Sequence, residues 1–205
     1  MTKLNTVEKL TMNNPVRALL QRRYEAGILE RLGGRLDRGA RALEIGCGRG
    51  VGVGIVIDRF GAERVDGFDL DPDMIGRARR WFDADPRVRL WVGDATRIEA
   101  ADGAYDAVFD FGIVHHVPDW RAALAEVRRV LRPGGRFYFE EVTKHALDRW
   151  TYRTLFEHPE HDRFTARELL AELEHQGLQA GERHVERFFG DFVIGVATRT
   201  EEHQH

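Results

Sequence analysis

Cysteine is almost missing from this 205-residue sequence, in which Cys47 is the only one. One thiol cannot build an internal disulfide framework, so a reducing cytoplasm is the expected setting. Lysine is nearly missing too: Lys3, Lys9 and Lys144 stand alone, and every other basic residue is arginine. We read that skew as genome bias, not as a phosphate-binding patch. No apolar run approaches the ~20 residues of a membrane span, and the opening MTKLNTVEKL has no apolar core of the signal-peptide kind. Stable membrane insertion is therefore not expected. Excess positive charge is absent as well; the net charge is −3, which argues against a nucleic-acid partner. What remains, 42% hydrophobic and 32% charged, is the composition of a soluble globular chain. Its length suits one domain with a real core.

The chain divides by pattern. Residues 1–13 read as loosely packed. Asn14 then caps a helix over 15–32 with Pro15 at its first position. Val16, Leu20, Tyr24, Ile28 and Leu32 form one apolar stripe, and Gly33-Gly34 ends it. From residue 40, short apolar runs alternate with helical stretches. Strands are expected at Ala42–Ile45, Val65–Asp69, Arg87–Val92, Tyr105–Phe111 and Arg136–Val142. The connecting helices start after the Gly-rich stretch 46–54, at Asp71-Pro72 and at Asp119. Such alternation gives a parallel sheet with helices on both faces. Residues 144–163 carry aromatics and histidines without clean periodicity. Thr165 and Glu168 then make a capping box, Gly177 closes that helix, and strands at about 178–187 and 189–199 follow.

In an open α/β sheet, ligands bind outside the carboxyl ends of the strands. The first strand ends in Glu44-Ile45-Gly46-Cys47-Gly48-Arg49-Gly50, where glycines let backbone approach a ligand and free helix N–H groups to face a carboxylate. The second ends in Asp69, 25 residues after Glu44, and the third in Gly93-Asp94-Ala95, another 25 residues on. The fourth ends in Asp110-Phe111-Gly112, followed by Ile113-Val114-His115-His116. A nicotinamide dinucleotide site would need glycines at positions one, three and six. Gly46, Gly48 and Val51 fail that spacing, as do Gly48, Gly50 and Val53.

These segments, together with Leu131-Arg132-Pro133-Gly134-Gly135, resemble the successive motifs of class I S-adenosylmethionine-dependent methyltransferases over roughly residues 40–142. The likeness is to the small-molecule branch that acts on quinones and sterols. It implies a doubly wound, mostly parallel seven-stranded sheet, order 3-2-1-4-5-7-6 with strand 7 antiparallel. The chain 1–205 is then one methyltransferase domain. Residues 1–39 form a helical cover, 40–142 the donor-binding core, 144–163 a variable substrate cover, and 164–205 a C-terminal helix and strands.

The resemblance also implies roles. Glu44 and the turn Gly46, Cys47, Gly48 and Gly50 would hold the methionine moiety, and Asp69 the ribose hydroxyls. Leu70 would pack on adenine, whose edge Gly93, Asp94 and Ala95 would read, while Asp110 and Phe111 flank the amine and sulfonium. Arg49 departs from the small residue often found in that turn. The acceptor would be a small or lipophilic metabolite. Enzymes that methylate exocyclic base amines carry Asn/Asp-Pro-Pro-aromatic after strand four, and Asp110-Phe111-Gly112-Ile113 does not match.

Each reading has a plainer rival. Glu44 can cap the next helix, Asp69 and Asp94 can be solvated caps, and Cys47 can pack as a small apolar residue. His115 can take a proton from a hydroxyl or thiol, or merely shape the pocket. His158, His161 and Asp162 have loose metal-ligand spacing, but a solvated loop is the better reading and no metal is expected. Trp150, Tyr152, Phe156 and Phe164 suit either core or substrate cover. A nicotinamide-dependent oxidoreductase and a non-catalytic adenosylmethionine-binding module stay as alternatives. The acceptor atom and the oligomeric state are not legible.

Overall fold

The computed structural model describes Leu19, residues 21–147 and residues 163–201. Expectations for residues 1–18, for Leu20 and for residues 148–162 and 202–205 lie outside the described residues. These include the Asn14 cap, Val16, Trp150, Tyr152, Phe156, His158, His161 and Asp162.

Strands β1 (Arg41–Ile45), β2 (Arg64–Asp69), β3 (Val88–Val92), β4 (Tyr105–Phe111) and β5 (Leu131–Val142) run parallel in the order β3-β2-β1-β4-β5. Ala42, Leu43 and Ile45 in β1 and Val108 and Phe109 in β4 are fully buried. Near-continuous apolar runs are what a strand covered on both faces requires. Antiparallel β8 (Phe192–Arg199) joins the far edge of β5, so the expected strand order is found.

One strand is broken. The segment expected at 178–187 forms β6 (Leu178–Gln179) and β7 (His184–Arg187), both antiparallel to β8 along the same edge. Between them Gly181 turns at φ 54° and the Arg183 N–H bonds back to the Ala180 carbonyl at 3.0 Å. This local turn takes more residues on one edge than on the other, as in a bulge. The sheet therefore has eight strands where seven were expected.

Helices cover both faces. On one lie α1 (Ala26–Gly33), α2 (Val51–Ile55) and α3 (Pro72–Trp81); on the other lie α4 (Trp120–Val130) and α6 (Ala166–His175), after the short α5 (Lys144–Leu147). The Asp71 and Asp119 side chains cap α3 and α4, and Thr165 with Glu168 makes the expected capping box on α6. In α4, Trp120, Ala123, Leu124, Val127 and Val130 all face inward. Burying each large apolar side chain gains ~1.5–3 kcal/mol. Phe164 packs on Trp120 at a tilt, with ring centroids 4.8 Å apart, and so belongs to the core.

Among the described residues of the N-terminal stripe, Ile28 is buried and Leu32 packs on the core, whereas Tyr24 is exposed; Ala26 and Leu29 share the buried contact. A wide π-type turn over Gln21–Glu25 precedes α1, and an extra residue per turn rotates the face. The described α1 packs against β5 and β8 as part of the core. Its C-terminus is held there by Tyr138, whose hydroxyl donates to the Gly33 or Gly34 carbonyl at 3.1 Å.

Candidate functional site

The parallel strands β1, β2, β3, β4 and β5 all deliver their carboxyl ends to one edge, and the sequence-expected residues meet there. Strand β1 ends by delivering Glu44, 2% exposed, beneath α2. Its carboxyl takes a hydrogen bond from the Val53 backbone, so part of its role is to cap α2. A Cβ on Gly52 would collide with Glu44 Oε1 and press on Phe111. Only glycine lets α2 sit this close. Glu44 Oε2 is buried with no hydrogen-bond partner. Burial raises its pKa well above the ordinary value, and the charges of Asp69 and Asp110 push the same way.

Gly46 turns at φ 64° with Ile113 packed where its Cβ would be. Cys47 is buried, and burial raises its pKa well above the usual thiol value. It is placed as the small apolar residue expected. Gly50, at φ 92°, leads into α2.

Asp69 binds the loops together: Oδ2 accepts the Gly48 N–H at 2.9 Å and Oδ1 accepts the Asp71 N–H at 2.8 Å. Leu70 follows it, half-buried. The Gly93 N–H reaches the Asp69 carbonyl at 3.0 Å, which joins the third strand end to the second. Burial pushes the Asp94 pKa up, but the Thr96 N–H and hydroxyl, both at 2.9 Å, more than offset it and hold the group below its ordinary value. Ala95 is fully buried.

Beyond β4 lies a second acidic group. Asp110 is fully buried; Oδ1 accepts the Ile113 N–H at 2.9 Å, and Oδ2 has no hydrogen-bond donor. Burial and the neighbouring Glu141 raise its pKa well above the ordinary value. Asp110 pairs in register with Phe139, so Glu141, two residues further along β5, sits diagonally on the same face. Phe111 turns to the opposite face and is 5% exposed. His115 lies in the turn Val114–His116, with its side chain 6% exposed and Nδ1 2.6 Å from Glu141 Oε2. The His116 ring leans on it, centroids 4.1 Å apart. No group of three or more metal-ligating side chains occurs among the described residues. Nor is any described helix long and apolar enough to cross a membrane.

Sequence reasoning missed Glu141 and Gly52. The signal for the first was two acids, Glu140-Glu141, at the end of the otherwise apolar run Phe137–Phe139.

Residues 42–135 match the family model described as a methyltransferase domain. The chain is 36% identical over 104 residues to the fatty-acid O-methyltransferase of Mycolicibacterium smegmatis, a stretch covering 51% of this chain and 38% of that one. It is 35% identical over 153 residues to the malonyl-[acyl-carrier protein] O-methyltransferase of Enterobacter lignolyticus, covering 74% and 58%. Both relatives are therefore longer, and the chain spans less than two thirds of each. In fold it is similar to an S-adenosylmethionine-dependent methyltransferase of Aquifex aeolicus, with TM-score 0.73, 22% identity, and coverage of 96% and 98%. Strand order and ordered motifs agree with these likenesses: residues 42–135 match the methyltransferase-domain family, and the described fold is similar to that of S-adenosylmethionine-dependent methyltransferases.

Proposed function

We propose that this protein is an enzyme that moves a methyl group from S-adenosylmethionine to a small or lipophilic metabolite. The observation that carries the reading is the buried carboxyl of Glu44, whose Oε2 has no hydrogen-bond partner in the protein. Buried polar groups are normally paired, and a donor with a cationic amine and sulfonium fits that vacancy in charge. When bound, the donor supplies a methyl carbon whose bond to sulfur breaks, leaving a neutral thioether. Glu44 and the Gly46–Gly50 turn hold its methionine end, with Cys47 and Gly48 in that turn. Asp69 holds the ribose hydroxyls, Leu70 packs on adenine, and Gly93, Asp94 and Ala95 read its edge. Asp110 and Phe111 line the reacting end, and His115 accepts the proton of a hydroxyl or thiol acceptor. Positioning and a dry site supply most of the rate, since orientation is worth ~7–11 kcal/mol. Residues 144–163 and the first residues of 1–39 serve as cover, and no nucleic acid takes part.

Thermal unfolding with ligand tests the reading. S-adenosylmethionine or S-adenosylhomocysteine at 100 times Kd should stabilise the domain by ~2.7 kcal/mol, and NAD should not. A shift with NAD alone would sink it. Donor binding with no S-adenosylhomocysteine formed across an acceptor library would leave a non-catalytic binding module.

Asp69→Ala should weaken donor binding without unfolding the domain. A carboxylate accepting two hydroxyls makes charge-assisted bonds worth ~1.5–3 kcal/mol, so Kd should rise roughly 10- to 150-fold. Asp69 also ties the Gly48 and Asp71 amides, so the melting temperature should fall modestly as well. Calorimetry with an unchanged Kd removes Asp69 from the site.

A further inference from the structure

The site contains an acid that neither the motif set nor the donor requires. Glu141 is 1% exposed and accepts three hydrogen bonds: Val114 N–H at 2.7 Å, His115 N–H at 3.1 Å and the His115 ring Nδ1 at 2.6 Å. All three partners lie in the turn after β4, so one carboxyl on β5 fixes both the backbone and the ring of His115. Oxygens that already receive backbone N–H groups act as acceptors, so the ring nitrogen facing them donates, which places the proton of the 2.6 Å contact on Nδ1.

Asp110 completes the arrangement. It approaches Glu141 from β4 and accepts the backbone N–H of Ile113, where Glu141 accepts those of Val114 and His115. Two carboxyls this close cannot both ionise cheaply, and the better-solvated one keeps the charge. Glu141 is therefore the carboxylate and Asp110 the acid. The groups facing this pair are His115, with His116 stacked on its ring, and Glu44, which feels the charge of Asp110. Burial pushes Glu141 up to about 7, against the backbone donors and Asp110, which lower it.

We propose that Glu141 is a positioning residue that holds His115 with its proton on Nδ1, so that Nε2 is the nitrogen presented as base. This rests on the reading of His115 given above. A neutral imidazole carries its proton on one nitrogen only, and the wrong tautomer has no lone pair at Nε2. The same carboxylate stabilises the imidazolium once the acceptor's proton has arrived at Nε2. Asp110, holding its own proton, leaves that carboxylate charged for the purpose.

Nitrogen-15 NMR of the imidazole rings tests this without donor or acceptor. In the wild-type protein the His115 signals should show Nδ1–H. In Glu141→Leu no acceptor faces the ring, and the fixed preference for Nδ1–H should be lost. With one identified hydroxyl or thiol acceptor, that variant should lose ~10²–10⁴-fold in turnover, while donor Kd stays within about twofold. Glu141→Asp keeps a carboxylate and should retain the Nδ1–H tautomer with a smaller loss. An Nε2–H signal in the wild-type protein overturns the proposal, and that measurement needs no variant to fold. A tautomer that ignores Glu141→Leu overturns it too. Should the preference be lost while turnover and its pH profile stay unchanged, the ring is held as described but His115 is not the base.

Discussion

His115→Ala should lower turnover by ~10²–10⁴-fold while leaving donor affinity nearly intact. The ring is held by Glu141 just beyond the end of β4, beside Asp110 and Phe111. A hydroxyl or thiol must lose its proton as it attacks, and imidazole titrates near ~6.5 in peptides, close to the working pH. Below that range a protonated ring accepts nothing, so wild-type turnover should fall on the acid side. The alanine variant should show no such limb. An amine that is already neutral needs no base, and the loss should then be small. The deciding measurement is turnover against pH for both proteins with one identified acceptor. Parallel profiles separated by a small constant factor would mean that His115 only shapes the site.

Phe109→Ala should cost ~3–5 kcal/mol of stability, the usual price of deleting a buried aromatic ring. Phe109 is fully exposed to none of the solvent and forms the hub of an aromatic cluster: Tyr138 stacks on it at 4.5 Å, Phe60 meets it edge-on at 4.8 Å and Phe111 lies at 6.1 Å. For a chain of this size each kcal/mol moves the melting temperature by ~2–4 °C, which gives a fall of roughly 6–20 °C. Against a total of ~5–15 kcal/mol that is a large share. Asp110 is the next residue and Phe111 the one after, so donor affinity should fall with the melting temperature. A shift under about 2 °C would show that the neighbouring rings close over the gap and that the cluster is not the support described.

The sheet order and the strand-end residues were readable because both depend on local signals. Alternating apolar runs mark strands, and the chain delivers Glu44, Asp69, Asp94 and Asp110 to the same edge once those strands are parallel. Glu141 was not readable, because its contact with His115 spans 26 residues and exists only through the β4–β5 register. The break between β6 and β7 was missed for a similar reason. It rests on one glycine at φ 54°, and a lone glycine in a strand does not say whether the chain bulges or continues. Tyr24 was misplaced because a π-type turn shifts the phase of a stripe that periodicity assumes to be continuous, while Ile28 and Leu32 within α1 face the core as read. The acceptor stays hidden because the aromatic segment 144–163 shows no repeat from which to reason.

The unsatisfied acid Glu44 has a consequence outside catalysis. Donor arrives as a cation at sulfur and leaves as a neutral thioether, so the spent product offers this group less than the fresh donor did. A protein whose folded form is stabilised by its ligand resists quality-control proteases longer when that ligand is plentiful. On the proposed reading, the lifetime of this chain in a cell would follow the ratio of donor to spent donor. Starved of methyl supply, the cell would hold fewer copies of it even if synthesis were constant.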